Sequence, residues 1–250
     1  MMMIKSLLIE TGAEILKVAR APEYIIPTLV FPVAFYFMFG VILAGSSNNA
    51  SYLLATYGIF AVMGPAIFGF GVSTATERDK GWLTLKRAAP APAINYIVAK
   101  IIATIIFAAL SLVALYIVGG FVGGVVLPRQ TWALLLLTHM LATLPFILIG
   151  LTLGFLLNAN GAVAFANIVF MGLAVLGGLW IPIFVFPEIM QTIAKFLPTY
   201  HLGEIALTVS GQPAAPGQED REISGHIAMT INMTIGLAAL TVFAWTRQRK

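Results

Sequence analysis

The chain has 250 residues, of which 60% are hydrophobic and 10% charged, and its mean hydropathy is +0.96. A soluble domain of this length cannot hide so much apolar surface, so the composition specifies a polytopic membrane protein of the all-α class. The net charge is +4, the aromatic residues fall in apolar runs, and cysteine is absent, which disfavours nucleic acid as a partner and excludes disulfides and thiolate metal sites.

At the amino terminus, charges are interleaved with apolar residues and no cleavage site follows, unlike a signal peptide. Residues 3–20 are predicted to form an amphipathic helix lying on the membrane surface. Ile4, Leu7, Leu8, Thr11, Ile15 and Val18 share one face. Glu10, Glu14, Lys17 and Arg20 share the other, with Glu14 in reach of Lys17. A solvated tail helix is the alternative.

A membrane-crossing helix needs about 20 apolar residues. Six runs qualify: Tyr24–Ala44, Tyr52–Thr74, Ile94–Val118, Thr131–Leu156, Ala162–Ile181 and Ile227–Trp245. No internal repeat and no separate soluble domain is visible, so the chain reads as one transmembrane domain over residues 1–250. With both ends cytoplasmic, the inside segments hold Lys5, Lys17, Arg20, Arg78, Lys80, Lys86, Arg87, Lys100, Arg247, Arg249 and Lys250. The outside segments then hold only Arg129, Lys195 and Arg221, and this imbalance sets the expected orientation. Trp132 and Trp180 mark outer helix ends and Trp245 an inner one.

Between the fifth and sixth runs, residues 183–201 are too apolar for an ordinary loop. Phe186, Ile189, Met190, Ile193, Phe196 and Leu197 form a helical stripe, with Pro187 in its first turn and Pro198 ending it. Such a piece either dips into the outer leaflet and returns or lies on it; a connector with some buried side chains is the simpler alternative. Gly203 to Gly225 reads as exposed, with a flexible tip from Gln212 to Asp220.

Catalytic motifs are absent. There is no GxxxxGK[ST] phosphate loop and no HExxH, and His139, His201 and His226 are scattered, so no cofactor is expected on this chain. No acidic residue falls in the middle of a predicted span, where ion-coupled carriers keep one. His139 is the sole ionisable candidate at depth, better read as a polar side chain satisfied by a neighbouring helix than as a proton relay. Phe68, Phe70, Asn167 and Met171 are candidates for a substrate path; contact with lipid or with a neighbouring helix is the alternative. The Asn158–Gly161 run reads as a short turn, Pro145 as a bend in the fourth span, and Gly69 and Gly71 as points of close packing.

The densest charged run lies between the second and third spans. Thr76, Glu77, Arg78, Asp79 and Lys80 precede Gly81, and Lys86 and Arg87 close the run after Trp82, Leu83 and Leu85. Thr76 with Asp79 resembles an N-cap arrangement, and Gly81 permits a sharp turn. Residues 76–88 are therefore expected to form a short helix projecting from the membrane, with Trp82, Leu83 and Leu85 as an apolar knob. That knob either docks on a partner or rests on lipid head groups.

This run, with Pro90, Asn95, Tyr96 and Lys100 after it, resembles the cytoplasmic loop of ABC-2-type transporter permeases, of a drug- or lipid-exporter-like branch. The family's usual pattern is Glu, then Gly-Thr-Leu, then Pro; here Trp82 stands where many members have Thr. The amphipathic start, the six spans and the proline-rich outer element extend the resemblance over nearly the whole chain. It implies the membrane half of an ABC exporter, paired with a second permease chain as a homodimer and with two copies of an ATPase that carries the ATP and Mg. It implies an ATPase-coupling role for the loop. Glu77, Gly81, Leu83 and Leu85 match the motif, and Arg78, Trp82, Lys86 and Arg87 share the segment. A lipophilic cargo moved outward through the inner membrane is the matching expectation. A polysaccharide or glycolipid exporter, an ATP-independent carrier and a membrane sensor are the rivals.

Overall fold

The computed structural model describes residues 2–88, 93–213 and 222–247. All regular structure among these is helical. Helix α1 is Met2–Ala19, and α2 occupies residues 22–42. Helix α3 is Ser47–Asp79, α4 Trp82–Ala88, α5 Ile94–Val122, α6 Arg129–Leu156 and α7 Ala159–Leu176. After a single 3-10 turn at Ile183–Val185 come α8 (Glu188–Ala194), α9 (Pro198–Val209) and α10 (Ile223–Arg247).

Helices α3, α5, α6, α7 and α10 are long and apolar enough to cross a membrane, and α2 contributes the shorter apolar helix Ile26–Ile42. Five of the six predicted runs therefore reappear as helices of crossing length, and the first, Tyr24–Ala44, as a shorter apolar helix. Within α2 and α3 the helix widens to π-type turns at Ile26–Val30, Phe37–Ile42 and Pro65–Val72. Pro27 lies in the first of these and Pro65 opens the third; each lacks the N–H of a regular turn, and a wider turn absorbs the break.

Helix α3 is the centre of the bundle. Its most apolar window is 83% buried, against 11% for α10, which lies at the edge. Tyr57, Phe60, Met63, Ile67 and Phe70 fill the core from α3. Where α3 crosses α6, glycines replace side chains: a Cβ on Gly71 would stand 2.3 Å from the Gly150 carbonyl oxygen, and one on Gly154 2.6 Å from that of Gly71. Backbones can approach so closely only when both faces are bare.

Several expectations are corrected. Helix α7 stops at Leu176 and not at Ile181, because Gly177 and Gly178 follow and Gly178 takes a φ of +76°. Pro198 does not end the outer helix; it sits in the first turn of α9, where its missing N–H costs nothing. Residues 203–209, read as exposed, belong to α9 and are mostly buried against α10, α3 and α6. Glu204 within this stretch is itself buried. The stripe of α8 turns largely outward, with Ile189, Ile193 and Phe196 exposed. The predicted flexible tip lies mostly outside the described residues.

Candidate functional site

The charged end of the bundle is built around the last turns of α3. The helix does not stop at Thr74; it runs on to Asp79, so Glu77, Arg78 and Asp79 ride on a buried span and not on a separate loop helix. Thr76 is no cap. Its hydroxyl donates to the Val72 carbonyl at 2.9 Å, an ordinary mid-helix bond to the preceding turn. The chain then breaks at Lys80–Gly81, with Gly81 at φ +74°, and restarts as α4. The expected single helix over 76–88 is thus two helices joined by a glycine turn.

Each of the three charged residues ending α3 engages a different neighbour. Glu77 points inward. It accepts from Lys17 of α1 and from the Tyr96 hydroxyl of α5, and Lys100 Nζ lies 3.1 Å from its Oε1. Glu14 joins the same cluster, its Oε2 lying 3.3 Å from Lys100 Nζ and bonded to Lys17. Two carboxylates and two ammoniums are so interleaved that every charge has an opposite neighbour, the condition under which buried ions are tolerated. Burial pulls the Lys17 ammonium pKa down, and the Glu77 and Glu14 carboxylates outweigh that, leaving it above its ordinary value.

This cluster corrects the reading of α1. Glu14 does not face away from the bundle but is buried with Val18 against α5, while Ile4, Leu8, Ile9 and Leu16 face outward. The outward face of α1 is therefore greasy, and Glu14 and Lys17 turn toward the bundle while Arg20 stays exposed.

Arg78 and Asp79 close two helix ends. The Arg78 guanidinium donates to the carbonyl oxygens of Gly154, Phe155 and Leu157 at 3.0, 2.8 and 2.5 Å, where α6 runs out of intrahelical partners. Asp79 Oδ2 accepts from the Ala159 N–H at 2.7 Å, at the first residue of α7. Asn158 caps the same helix by accepting from the Gly161 N–H at 2.8 Å, which gives the predicted Asn158–Gly161 turn its function. A cation at a helix carboxyl end and an anion at an amino end both match the helix dipole.

Beyond the turn, α4 presents Trp82 and Leu85 to the outside, 45% and 71% exposed, while Leu83 is half-buried. Lys86 and Arg87 follow on the same helix, their side chains outside the described residues. The knob is thus held out by a stem that is itself welded to α1, α5, α6 and α7.

A groove of about 550 Å³ opens beside this stem, between the end of α1, the start of α2, the lower part of α3 and the start of α7. Phe68 and Asn167 line it, together with Lys80 and Trp82. Gly69 makes room for the Tyr24 ring, whose hydroxyl donates to the Pro65 carbonyl at 3.2 Å. Phe70 does not line the groove; it is 1% exposed in the core, on the opposite side of α3. Met171 is exposed on α7 outside the groove. Of the four path candidates, two meet in one place. His139 is fully buried and satisfied, its Nδ1 2.8 Å from the Tyr116 hydroxyl and its Nε2 2.9 Å from the Ala55 carbonyl.

Sequence reasoning missed Lys17 and Lys100 as the partners of Glu77. The signal available was Lys100, a lone charge in the otherwise apolar helix α5.

Comparison with known proteins accords with this architecture. The family model described as ABC-2 type transporter matches residues 6–209. A protein of Bacillus subtilis (strain 168), named "Putative transport permease YvfS", is 30% identical over 208 residues, which cover 80% of this chain and 84% of that protein.

Proposed function

The chain belongs to the ABC-2 type transporter family, and from that premise we propose that it is the membrane permease of an ATP-driven exporter of a lipophilic substrate. Membership makes it a multi-pass transport permease and implies an ABC ATPase partner in general. Our reading is more specific. Helix α4 is the coupling helix, Trp82, Leu83 and Leu85 form the ridge that seats in the ATPase, and Lys86 and Arg87 flank it. Two ATPase copies, which carry the ATP and Mg, serve two identical permease chains in the inner membrane, with both termini cytoplasmic.

The observation that carries this is the contrast across Gly81. On one side Glu77, Arg78 and Asp79 are bonded into four helices; on the other, Leu85 is left exposed on a short helix that extends the same stem. An apolar ridge ringed by charge on a rigid stem suits a docking contact, because a push on it is passed directly to the spans.

The test is co-purification with the ATPase encoded beside the gene. Leu83→Asp with Leu85→Asp should abolish the complex while the permease remains folded, since neither side chain is in the core. Undiminished capture of the ATPase by the double variant, or ATP-independent cargo movement by the isolated permease, would sink the proposal.

A further inference from the structure

The groove beside α3 has a charge pattern that selects its occupant. Most of its wall is apolar, from Val18, Tyr24, Pro27, Phe68 and Val72. The ions around it cancel in sets. Glu14 and Glu77 are answered by Lys17 and Lys100. Arg78 and Asp79 lie 3.5 Å apart and are spent on the ends of α6 and α7. Lys80 remains. It lines the groove, is exposed, has no carboxylate partner among the described residues, and its ammonium sits 5.7 Å from the Trp82 ring centroid.

Among the charged residues that line it, Lys17 pairs with Glu77 and Lys80 is left over, and an apolar recess of this size with that surplus cation matches a ligand with a greasy body and one negative end. The position of the rim says where such a ligand comes from. It lies where α1 meets α2, and Ile26 of α2 and Val163 of α7 are exposed beside it. A molecule dissolved in the membrane, its head at the interface, reaches that opening by sideways diffusion.

We propose that this groove receives a membrane-resident amphiphile bearing a single anionic head group, with Lys80 as the ligand of the head. Trp82 holds the Lys80 ammonium over its ring face and contributes an amphipathic wall at the interface. That is a use for the residue at which this chain departs from the pattern it resembles. The ligand would touch both sides of the Gly81 turn, so occupancy is sensed at the base of α4. The inference names the substrate class of the exporter proposed above and rests on that reading.

The experiment uses the full-length permease in nonionic micelles, without ATPase. Dodecyl phosphate, dodecyltrimethylammonium and inorganic phosphate are each titrated while tryptophan emission is followed, with Trp82→Phe identifying the signal from the rim. Dodecyl phosphate should bind about tenfold more tightly than the cationic probe, the worth of one charge-assisted contact, and inorganic phosphate should not compete. Lys80→Arg should keep the preference, Lys80→Gln erase it and Lys80→Glu reverse it. Equal affinity for the two amphiphiles, a preference that survives Lys80→Glu, or effective competition by inorganic phosphate overturns the proposal. No ATPase is present, so a negative result here leaves the docking test standing, and a failed docking test leaves this preference intact.

Discussion

Lys100 Nζ lies 3.1 Å from Glu77 Oε1, with the two side chains only 2% and 4% exposed. For a pair so deeply shielded, close contact of opposite charges is what offsets the loss of hydration. Removing one partner strands the other in an apolar surround.

Lys100→Met should therefore lower permease stability by about 3 kcal/mol, the lower end of the cost of breaking a buried pair, because Lys17 still answers part of the negative charge. Combining it with Glu77→Gln should recover a large share of that loss, since the stranded carboxylate is then gone. Unfolding of the purified single and double variants, read as a double-mutant cycle, measures the coupling. Strictly additive losses would mean that the two residues do not act as a pair.

This cluster also shows where sequence reading reached its limit. The spans were legible because hydrocarbon length imposes a run of apolar residues that no tertiary detail can disguise, and the Gly81 turn because few residues other than glycine accept its φ. Glu14 pairing with Lys17 was legible because it is local. Its pairing with Lys100 was not, because 86 residues separate them and nothing in the pattern of either helix encodes the other. The same holds for Arg78 and Asp79, whose partners are backbone groups of α6 and α7 that carry no sequence signal. Residues 203–209 were misread although Ile205, Ala206, Leu207 and Val209 are apolar, because a helix of this length is too short to register as a span.

The two caps at the end of α3 yield a second prediction. Arg78→Ala frees the last carbonyls of α6 and should cost about 1–3 kcal/mol. Asp79→Ala removes one bond at the start of α7 and should cost about 1 kcal/mol, with Asn158 still in place. Hydrogen exchange should locate both effects. Amides of residues 153–162 should lose protection, while those of α1 and α5 keep theirs. Uniform loss across the bundle would assign Arg78 a global role in place of a local one.

Glycine at the α3–α6 crossing gives a third. Gly71→Ala places a methyl 2.3 Å from the Gly150 carbonyl oxygen, and a backbone atom cannot yield as a flexible side chain does. A loss of about 1–3 kcal/mol is expected from this overpacking. Gly172→Ala, where nothing lies within 4 Å, is the matched control, and it should be neutral or gain about 0.5–1 kcal/mol from helix propensity. Thermal unfolding of the two variants side by side decides whether the crossing is as tight as its geometry requires.

The last prediction concerns His139, the fully buried histidine of α6. Because Nε2 faces the Ala55 carbonyl, it must carry the hydrogen, and Nδ1 is left to accept from Tyr116. Both ring nitrogens are thus occupied by the protein itself, across α3, α5 and α6, and a Cβ on Gly58 would fall 2.1 Å from the ring. That arrangement fixes three helices and leaves no free nitrogen to pass a proton along. Tyr116→Phe should cost about 1–3 kcal/mol, by leaving Nδ1 buried and unpaired, while cargo export per folded transporter stays unchanged. Vesicle transport measured alongside thermal unfolding separates the two roles. A variant that unfolds normally but exports poorly would place His139 on a working pathway and reverse its assignment as a strut.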